Sequence, residues 1–340
     1  MTPATEIQLS IIIVNYRSAP LIIENLHTLY QFNSNLSFEI IVVDNASDDD
    51  SEQIIKHSFP QVQWLQMGYN SGFARANNAG IKQSKGEVVL LLNPDIISID
   101  DSITLCYQQL VVDNYVAAGV QLLDAEQRKQ ISGSRFVKWG LNHLLPIPYW
   151  GYFLRWAAYQ GGATDPNIKE SKRVEEVDWI SGAFLMVKKE AIAKAGLLDE
   201  DFFLYAEEVE WCSRLKNEGP LCIYGNCQII HLEGTTINKS QSLQEKGYYN
   251  LYDKKGLQLM VSNHLRVRKQ YGVLAFLFLL LNYTWGWLVY LVADFSNKLL
   301  KFRDPFSNFK KIMAFGKNIV KLWALAPKII SNKPHFYKMF

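Results

Sequence analysis

Short continuous apolar runs alternate with amphipathic stretches over the first 120 residues. "LSIIIV" (9–14), "EIIVV" (39–43), "VQWLQ" (62–66), "EVVLLL" (87–92) and "VAAGVQLL" (116–123) read as buried strands, with helical patterns at 21–32 and 74–84 between them. Ser47 is placed to cap a further helix whose first turn carries Asp48, Asp49 and Asp50, charges that suit a helix N-terminus. Strands that are apolar on both faces and separated by helices predict an α/β fold with a mostly parallel sheet covered on both sides. Such sheets bind ligands beyond the carboxyl ends of their strands. The polar residues of this stretch gather at those ends: Asn15, Asp44, Asn45, Asn70, Asn93 and Asp95.

Beyond residue 123 the pattern loosens. Residues 124–178 are irregular, with aromatic, Gly and Pro content, and read as an insertion over the site that could form part of an acceptor pocket. "VDWISGAFLMV" (177–187) returns to strand, and "FFLYAEEVEWCSRLKNEGP" (202–220) reads as a short helix closed by Gly219 and Pro220. From about residue 254 the character changes. Residues 1–253 carry 20 Lys and Arg against 31 Asp and Glu, whereas 254–340 carry 15 against 2. The overall charge of +2 therefore hides an acidic α/β domain over 1–253 and a basic, apolar helical region over 254–340.

Residues 273–293 hold no charge, and as a helix they reach about 31 Å, enough for a hydrocarbon core. Asn282 to Gly286 interrupt the centre, and both flanks are basic: Arg266, Arg268 and Lys269 before, Lys298, Lys301 and Arg303 after. Basic residues at both ends favour a re-entrant or in-plane hairpin over a true span or a soluble helical extension. Over 307–324, Lys310, Lys317 and Lys321 share one helical face, with Ile312, Gly316, Ile319 and Trp323 opposite. That is the pattern of a surface anchor for anionic lipid, the alternative being a packed helix. An apolar share of 49% excludes general disorder. The four cysteines lack any CxxC pair, which favours a reducing compartment over a Cys222–Cys227 disulfide. "MTPATEIQLS" has no charged-then-apolar leader, so the α/β part is expected in the cytosol.

Several side chains could carry chemistry. Pro94 stops the fourth strand and leaves Asp95 at the edge of the sheet, where it could cap a helix or ligate a hard cation that bridges a diphosphate. Asp44 is either a turn residue or an acceptor for a base or ribose. "YNSGFARANNAG" (69–80) places Gly72, Arg75 and Asn78 near a helix N-terminus suited to anions. It is neither GxGxxG nor a Walker loop, which removes dinucleotide and ATP-motor readings. Glu207 and Glu210 suit a helix dipole, with Arg214 on their side. At 100° per residue Glu208 falls with Tyr205, Cys212 and Leu215, inside the apolar arc. An inward carboxylate there suits a general base, kept ionised by the helix N-terminus and made more basic by partial burial. His231, ending another β-like run, is either structural or a ligand for a Mn²⁺-like ion.

Taken in order, "SIIIVNYRS", "EIIVVDNAS", "NSGFARANNAG", "LLLNPD", "WISGAFLMV", "FFLYAEEVEW" and the "IIH" ending at His231 resemble the inverting glycosyltransferases of family 2, particularly bacterial rhamnosyltransferase-like members. The likeness covers roughly residues 9–236 and implies a GT-A fold with a Rossmann-like sheet. It implies that Val14, Asn15, Tyr16, Asp44, Asn45, Gly72, Arg75, Asn78 and Asn93 bind the donor nucleotide, and that Asp95 and His231 bind Mg²⁺ or Mn²⁺. Glu208 would be the base, with Trp179, Ser181, Gly182 and Glu207 around the donor sugar and acceptor. Two departures stand out: Asn93 replaces the first Asp of a DxD motif, and Glu208 stands where relatives often carry Asp. The resemblance implies a nucleoside diphosphate sugar donor, dTDP-rhamnose first by analogy, and a lipid-linked or polysaccharide acceptor. The enzyme is then expected on the cytoplasmic face of the inner membrane, peripheral or monotopic on an anionic surface, without nucleic acid. A nucleotidyltransferase, which would want a Gly-rich triphosphate loop that "NYRSAPL" lacks, and a non-catalytic membrane-associated glycan-binding protein are the alternatives.

Overall fold

A computed structural model describes residues 6–232 and 250–340. The first half alternates as the hydrophobic pattern predicts: β1 (Leu9–Asn15), α1 (Ala19–Phe32), β2 (Phe38–Asp44), α2 (Ser51–Ser58), β3 (Gln63–Gln66), α3 (Gly72–Gln83) and β4 (Val88–Leu92). There follow β5 (Ile96–Ser98), α4 (Ser102–Val112), β6 (Ala117–Leu123), β7 (Gly133–Ser134), a 3₁₀ segment at Lys138–Leu144, α5 (Trp150–Gln160) and β8 (Asn167–Ile168). The rest comprises β9 (Val174–Val177), β10 (Trp179–Ile180), β11 (Phe184–Lys188), α6 (Lys189–Ala195), α7 (Glu207–Leu215), β12 (Leu221–His231), α8 (Lys254–Leu300) and α9 (Phe309–Ser331).

By contact the chain divides into two compact units, residues 1–135, 167–200 and 207–243 in one, and residues 136–166, 201–206 and 244–340 in the other. The first unit is built on a sheet of order β3-β2-β1-β4-β11-β6-β12-β5, with β9 also paired to β12. β11, β5 and β9 run against the other six strands, so the sheet is mostly parallel. Alternate residues serve opposite faces. Ile11, Ile13 and Leu90 pack with Ile22 and Leu26 of α1 and Leu110 of α4, while Ile12, Val43 and Leu91 pack with Ala76 of α3 and Trp211 of α7. That double coverage is why the strands read as unbroken apolar runs.

Local expectations fail where tertiary contacts decide. Ser47 does not cap α2, which begins at Ser51 after Asp50. Residues 202–206 are not helical, because Tyr205 and Ala206 have φ of 72° and 66°, so α7 starts at Glu207. β5 was not expected. The four cysteines are buried and free.

In the second unit, Phe276, Leu279 and Tyr283 of α8 pack with Phe315, Ile319 and Leu322 of α9. The helix runs unbroken through Asn282–Gly286, so no hairpin turns there. Its one break is at Gly272, whose φ of 87° and ψ of −175° suit a residue without Cβ. Arg266 donates from Nη2 to His143 Nε2 at 2.7 Å. His264 Nδ1 donates to the Met260 carbonyl at 2.7 Å, which fixes a neutral tautomer beside Tyr283 and Phe276. Burial pushes His264 down to about 4. Burial, then the nearby Arg266 guanidinium, holds His143 well below the ordinary imidazole range.

A histidine buried neutral contributes stability that is complete above its unfolded pKa of about 6.5 and is lost as pH falls toward the folded value. For His264 alone, the loss between pH 7.5 and 5 is roughly 2 kcal/mol. Thermal unfolding at the two pH values is expected to show it, with His264→Phe flattening the dependence; an identical shift in the variant would refute this source.

Candidate active site

The ends of β1 and β2 are held by a network of buried polar groups. Their parallel register sets Asn15 beside Asp44. Asn15 Nδ2 donates to Asp44 Oδ1 at 2.7 Å and to Ser47 Oγ at 3.0 Å, while its Oδ1 accepts from Ser18 N. Ser47 Oγ also donates to Asp44 Oδ1, and Asp44 Oδ2 accepts from Ser47 N at 3.1 Å and Gln66 Nε2 at 2.8 Å. Both carboxylate oxygens are thus engaged by protein donors, close to the capacity of the group. Three residues of the adjoining turns, Arg17, Ala46 and Asp48, take positive φ, a conformation that side chains other than Gly avoid. Val14 and Tyr16 are half-buried, and Tyr16 lies under the Arg17 guanidinium.

Asn45 clamps the next loop. Its Oδ1 accepts from Ser71 N at 2.7 Å and Ser71 Oγ at 2.8 Å, and its Nδ2 donates to Gly72 O at 3.2 Å. Arg75 is half-buried and donates from Nε to the Glu200 carbonyl at 3.0 Å. Asn78 is buried, with Nδ2 donating to Leu198 O at 2.8 Å and Oδ1 accepting from Leu198 N at 3.0 Å. This side chain, expected along the nucleotide cleft, ties α3 to the loop after α6.

β4 pairs with β1 and β11, ends at Leu92, and three residues later the chain pairs as β5 with the far end of β12. That pairing sets His231 opposite Ile96, one residue past Asp95. His231 Nε2 lies 3.5 Å from Asp95 Oδ1 and 3.5 Å from Asn93 Nδ2. Gln130, which the sequence reading missed, fixes the imidazole. Its Nε2 donates to the His231 carbonyl at 2.9 Å, leaving Oε1 to accept from Nδ1 at 3.1 Å. With the proton on Nδ1, the Nε2 lone pair faces a carboxylate, an arrangement that favours a cation between them. One carboxylate and one imidazole are donors that a divalent metal accepts. Among the described residues no cluster of three or more His, Cys, Asp or Glu offers a fuller cage.

The Ser181–Gly182–Ala183 turn before β11 joins this cluster to the glutamates. Asn93 N donates to the Ala183 carbonyl at 3.0 Å, and a Cβ built on Gly182 would stand 3.4 Å from Glu208 Cγ. Ser181 N donates to Ser132 O at 2.9 Å, and Trp179 pairs with Ser134 across β7. Glu208 is half-buried, whereas Glu207 and Glu210 are buried, which reverses the outward direction expected for those two. Glu210 is matched by Arg214, whose Nε and Nη2 approach its two oxygens at 2.9 and 2.8 Å.

Against known families, residues 10–156 match the model described as glycosyl transferase family 2. The low-salt glycan biosynthesis hexosyltransferase Agl10 of Haloferax volcanii is 30% identical over 231 residues, 65% of this chain and 65% of its own. The N-acetylglucosaminyl-diphospho-decaprenol L-rhamnosyltransferase of Mycobacterium tuberculosis is 26% identical over 211 residues, 56% of this chain and 66% of its own. The chain thus spans slightly less than two thirds of the length of these relatives. The mannosyltransferase PcManGT of Pyrobaculum calidifontis, solved with GDP-Man and Mn²⁺, superimposes with a TM-score of 0.52 at 15% identity, covering 96% of this chain and 88% of that one. The shared fold is GT-A.

Asn78→Ala removes a buried amide and leaves the Leu198 N–H and C=O without it, costing about 2–4 kcal/mol. Urea denaturation is expected to show that loss with little change in affinity for a nucleotide sugar; the opposite split would return Asn78 to the cleft.

Proposed function

We propose that the chain is an inverting glycosyltransferase that moves a sugar from a nucleoside diphosphate donor, dTDP-rhamnose first, to a lipid-linked glycan at the cytoplasmic membrane face. The observation that supports it best is the convergence on one turn: Asn93 bonds to Ala183, Gly182 lies against Glu208, and His231 stands beside Asp95. The names of the rhamnosyl- and hexosyltransferase relatives favour the sugar class and a polyprenyl-linked acceptor.

On this reading Asp95 and His231 hold a divalent metal, with Gln130 keeping the Nε2 lone pair available. A metal there supplies positive charge against the departing diphosphate. Asn15, Asn45 and Ser47 shape the nucleoside pocket from behind, and Asp44 meets the base, the Gln66 amide giving way to it. Val14, Tyr16, Gly72 and Arg75 line the donor cleft. Trp179, Ser181 and Glu207 border the donor sugar and acceptor.

Glu208 takes the proton from the acceptor hydroxyl as its oxygen attacks the anomeric carbon from the face opposite the leaving group. The new carbon–oxygen bond forms as the sugar–phosphate bond breaks. The nucleoside diphosphate leaves with the electron pair, and configuration inverts.

Release of nucleoside diphosphate, measured over a panel of nucleotide sugars with and without EDTA, tests the reading. Glu208→Gln is expected to lower kcat by about 10²–10⁴-fold with donor binding retained; full activity would remove Glu208 as the base, and indifference to EDTA would remove the metal. Gln130→Leu, which takes away the acceptor that orients His231, is expected to weaken Mn²⁺ binding about 10–100-fold in a titration with nucleoside diphosphate present. Unchanged Mn²⁺ affinity would deny Gln130 that role.

A further inference from the structure

The second unit carries an apolar face that its own core leaves uncovered. From Leu274, 76% exposed, the exposed positions of α8 step by four, three, four and three residues through Phe278, Leu281, Trp285 and Leu288 and on to Leu299. Those steps draw one stripe along the helix, about 37 Å long at 1.5 Å per residue. Aromatic rings widen it. Trp139 meets Phe278 edge-on at 5.5 Å, and Trp150 meets Trp285 at 6.5 Å while stacking on Phe153 of α5 at 5.4 Å. An exposed apolar surface this continuous is unusual for a protein that stays in water.

Two observations select the occupant. No charge interrupts residues 273–293, while residues 254–340 carry 15 basic against 2 acidic residues, with Lys301, Arg303, Lys310 and Lys311 exposed beyond the stripe. An apolar strip bordered by cations complements an anionic lipid surface. The opposite face of the same helix is committed to its own unit: Tyr283 donates to the His143 carbonyl at 2.8 Å, and Asp294 is buried beside Lys298 at 2.8 Å. A helix crossing the bilayer would have to abandon those partners.

We propose that this stripe, with the aromatic residues of α5, inserts into the headgroup–acyl boundary of an anionic bilayer, the helix lying in the membrane plane. The proposal deepens the membrane part of the function proposed above but needs neither donor nor acceptor. It is tested with the full chain and vesicles of phosphatidylglycerol and phosphatidylcholine. Wild-type protein is expected to sediment with anionic vesicles, and brominated acyl chains are expected to quench its tryptophan fluorescence. Leu281→Asp with Leu288→Asp is expected to weaken partitioning at least about tenfold, two exposed leucines that would enter the bilayer being replaced by charges.

Wild-type protein that is neither bound nor quenched would overturn the proposal, and that readout needs no variant. Self-association in lipid-free buffer that the double substitution abolishes, without vesicle binding, would assign the face to a second copy. Resistance to alkaline carbonate with a protease-protected C-terminal segment would replace the in-plane helix with a span. Nucleotide-sugar binding followed by thermal shift separates the two readings: its absence in wild type would sink the transferase and leave vesicle binding standing.

Discussion

The exchange of strand partners between Leu92 and Ile96 is the constraint on which the candidate site depends. β4 leaves the centre of the sheet, and β5 re-enters at its far side against β12. The three residues between them are anchored by their own backbone: Asn93 N on Ala183 O, Asn93 O on Asn25 Nδ2, and Asp95 O on Leu232 N. Pro94 has no N–H to satisfy, so the position between these anchors needs no ladder partner. β12 completes the arrangement through an irregularity: Tyr224 pairs with Val120 but Gln228 with Gln121, leaving three residues unmatched. Side chains alternate faces along a strand, so an odd insertion turns the remaining ones over. The face on which His231 emerges is therefore set by this bulge as well as by the strand.

The second organising device is the buried amide. Asn15, Asn45 and Asn78 each place a carboxamide where its oxygen and nitrogen both find protein partners. A satisfied polar group in a low-dielectric setting fixes position more sharply than an apolar contact, because any displacement leaves an unpaired donor or acceptor. Polar residues at strand ends are thus the frame of the site as much as its lining. Asp44 shows the consequence. With donors already on both oxygens, it can accept from a nucleobase only by releasing one of them. Gln66, exposed at the end of β3, is the donor that can leave without unpinning a loop.

The strands were legible because both faces of the sheet are covered, which leaves the strongest pattern a sequence can carry. Asp95 and His231 could be singled out from Pro94 and from the β-like run before His231. Their proximity could not be, since it depends on β5, three residues without a periodicity of their own. Gln130 carried no signal at all, lying in a polar turn. The glutamates of α7 show a different failure. A helical wheel gives relative directions only, and the absolute direction is fixed where the helix starts, here after two left-handed residues. Glu210 is buried because Arg214, one turn on, is there to neutralise it.

The long helix near the C-terminus shows why length and apolarity do not decide how a segment meets a membrane. Asn282 to Gly286 suggested a break, yet Tyr283 and Gly286 face the interior of their unit and the helix passes straight through. Gly286 is there because a Cβ would come within 2.8 Å of Ile147, so the missing side chain allows close packing rather than a turn. Asp294 lies on the same face, accepting from Asn308 at 3.0 Å and Tyr149 at 3.3 Å with Lys298 alongside. Withdrawing a carboxylate from that set into hydrocarbon costs several kcal/mol on the smallest estimates. A face that keeps such partners stays with its own core, and the apolar stripe opposite is left for whatever lies outside the unit.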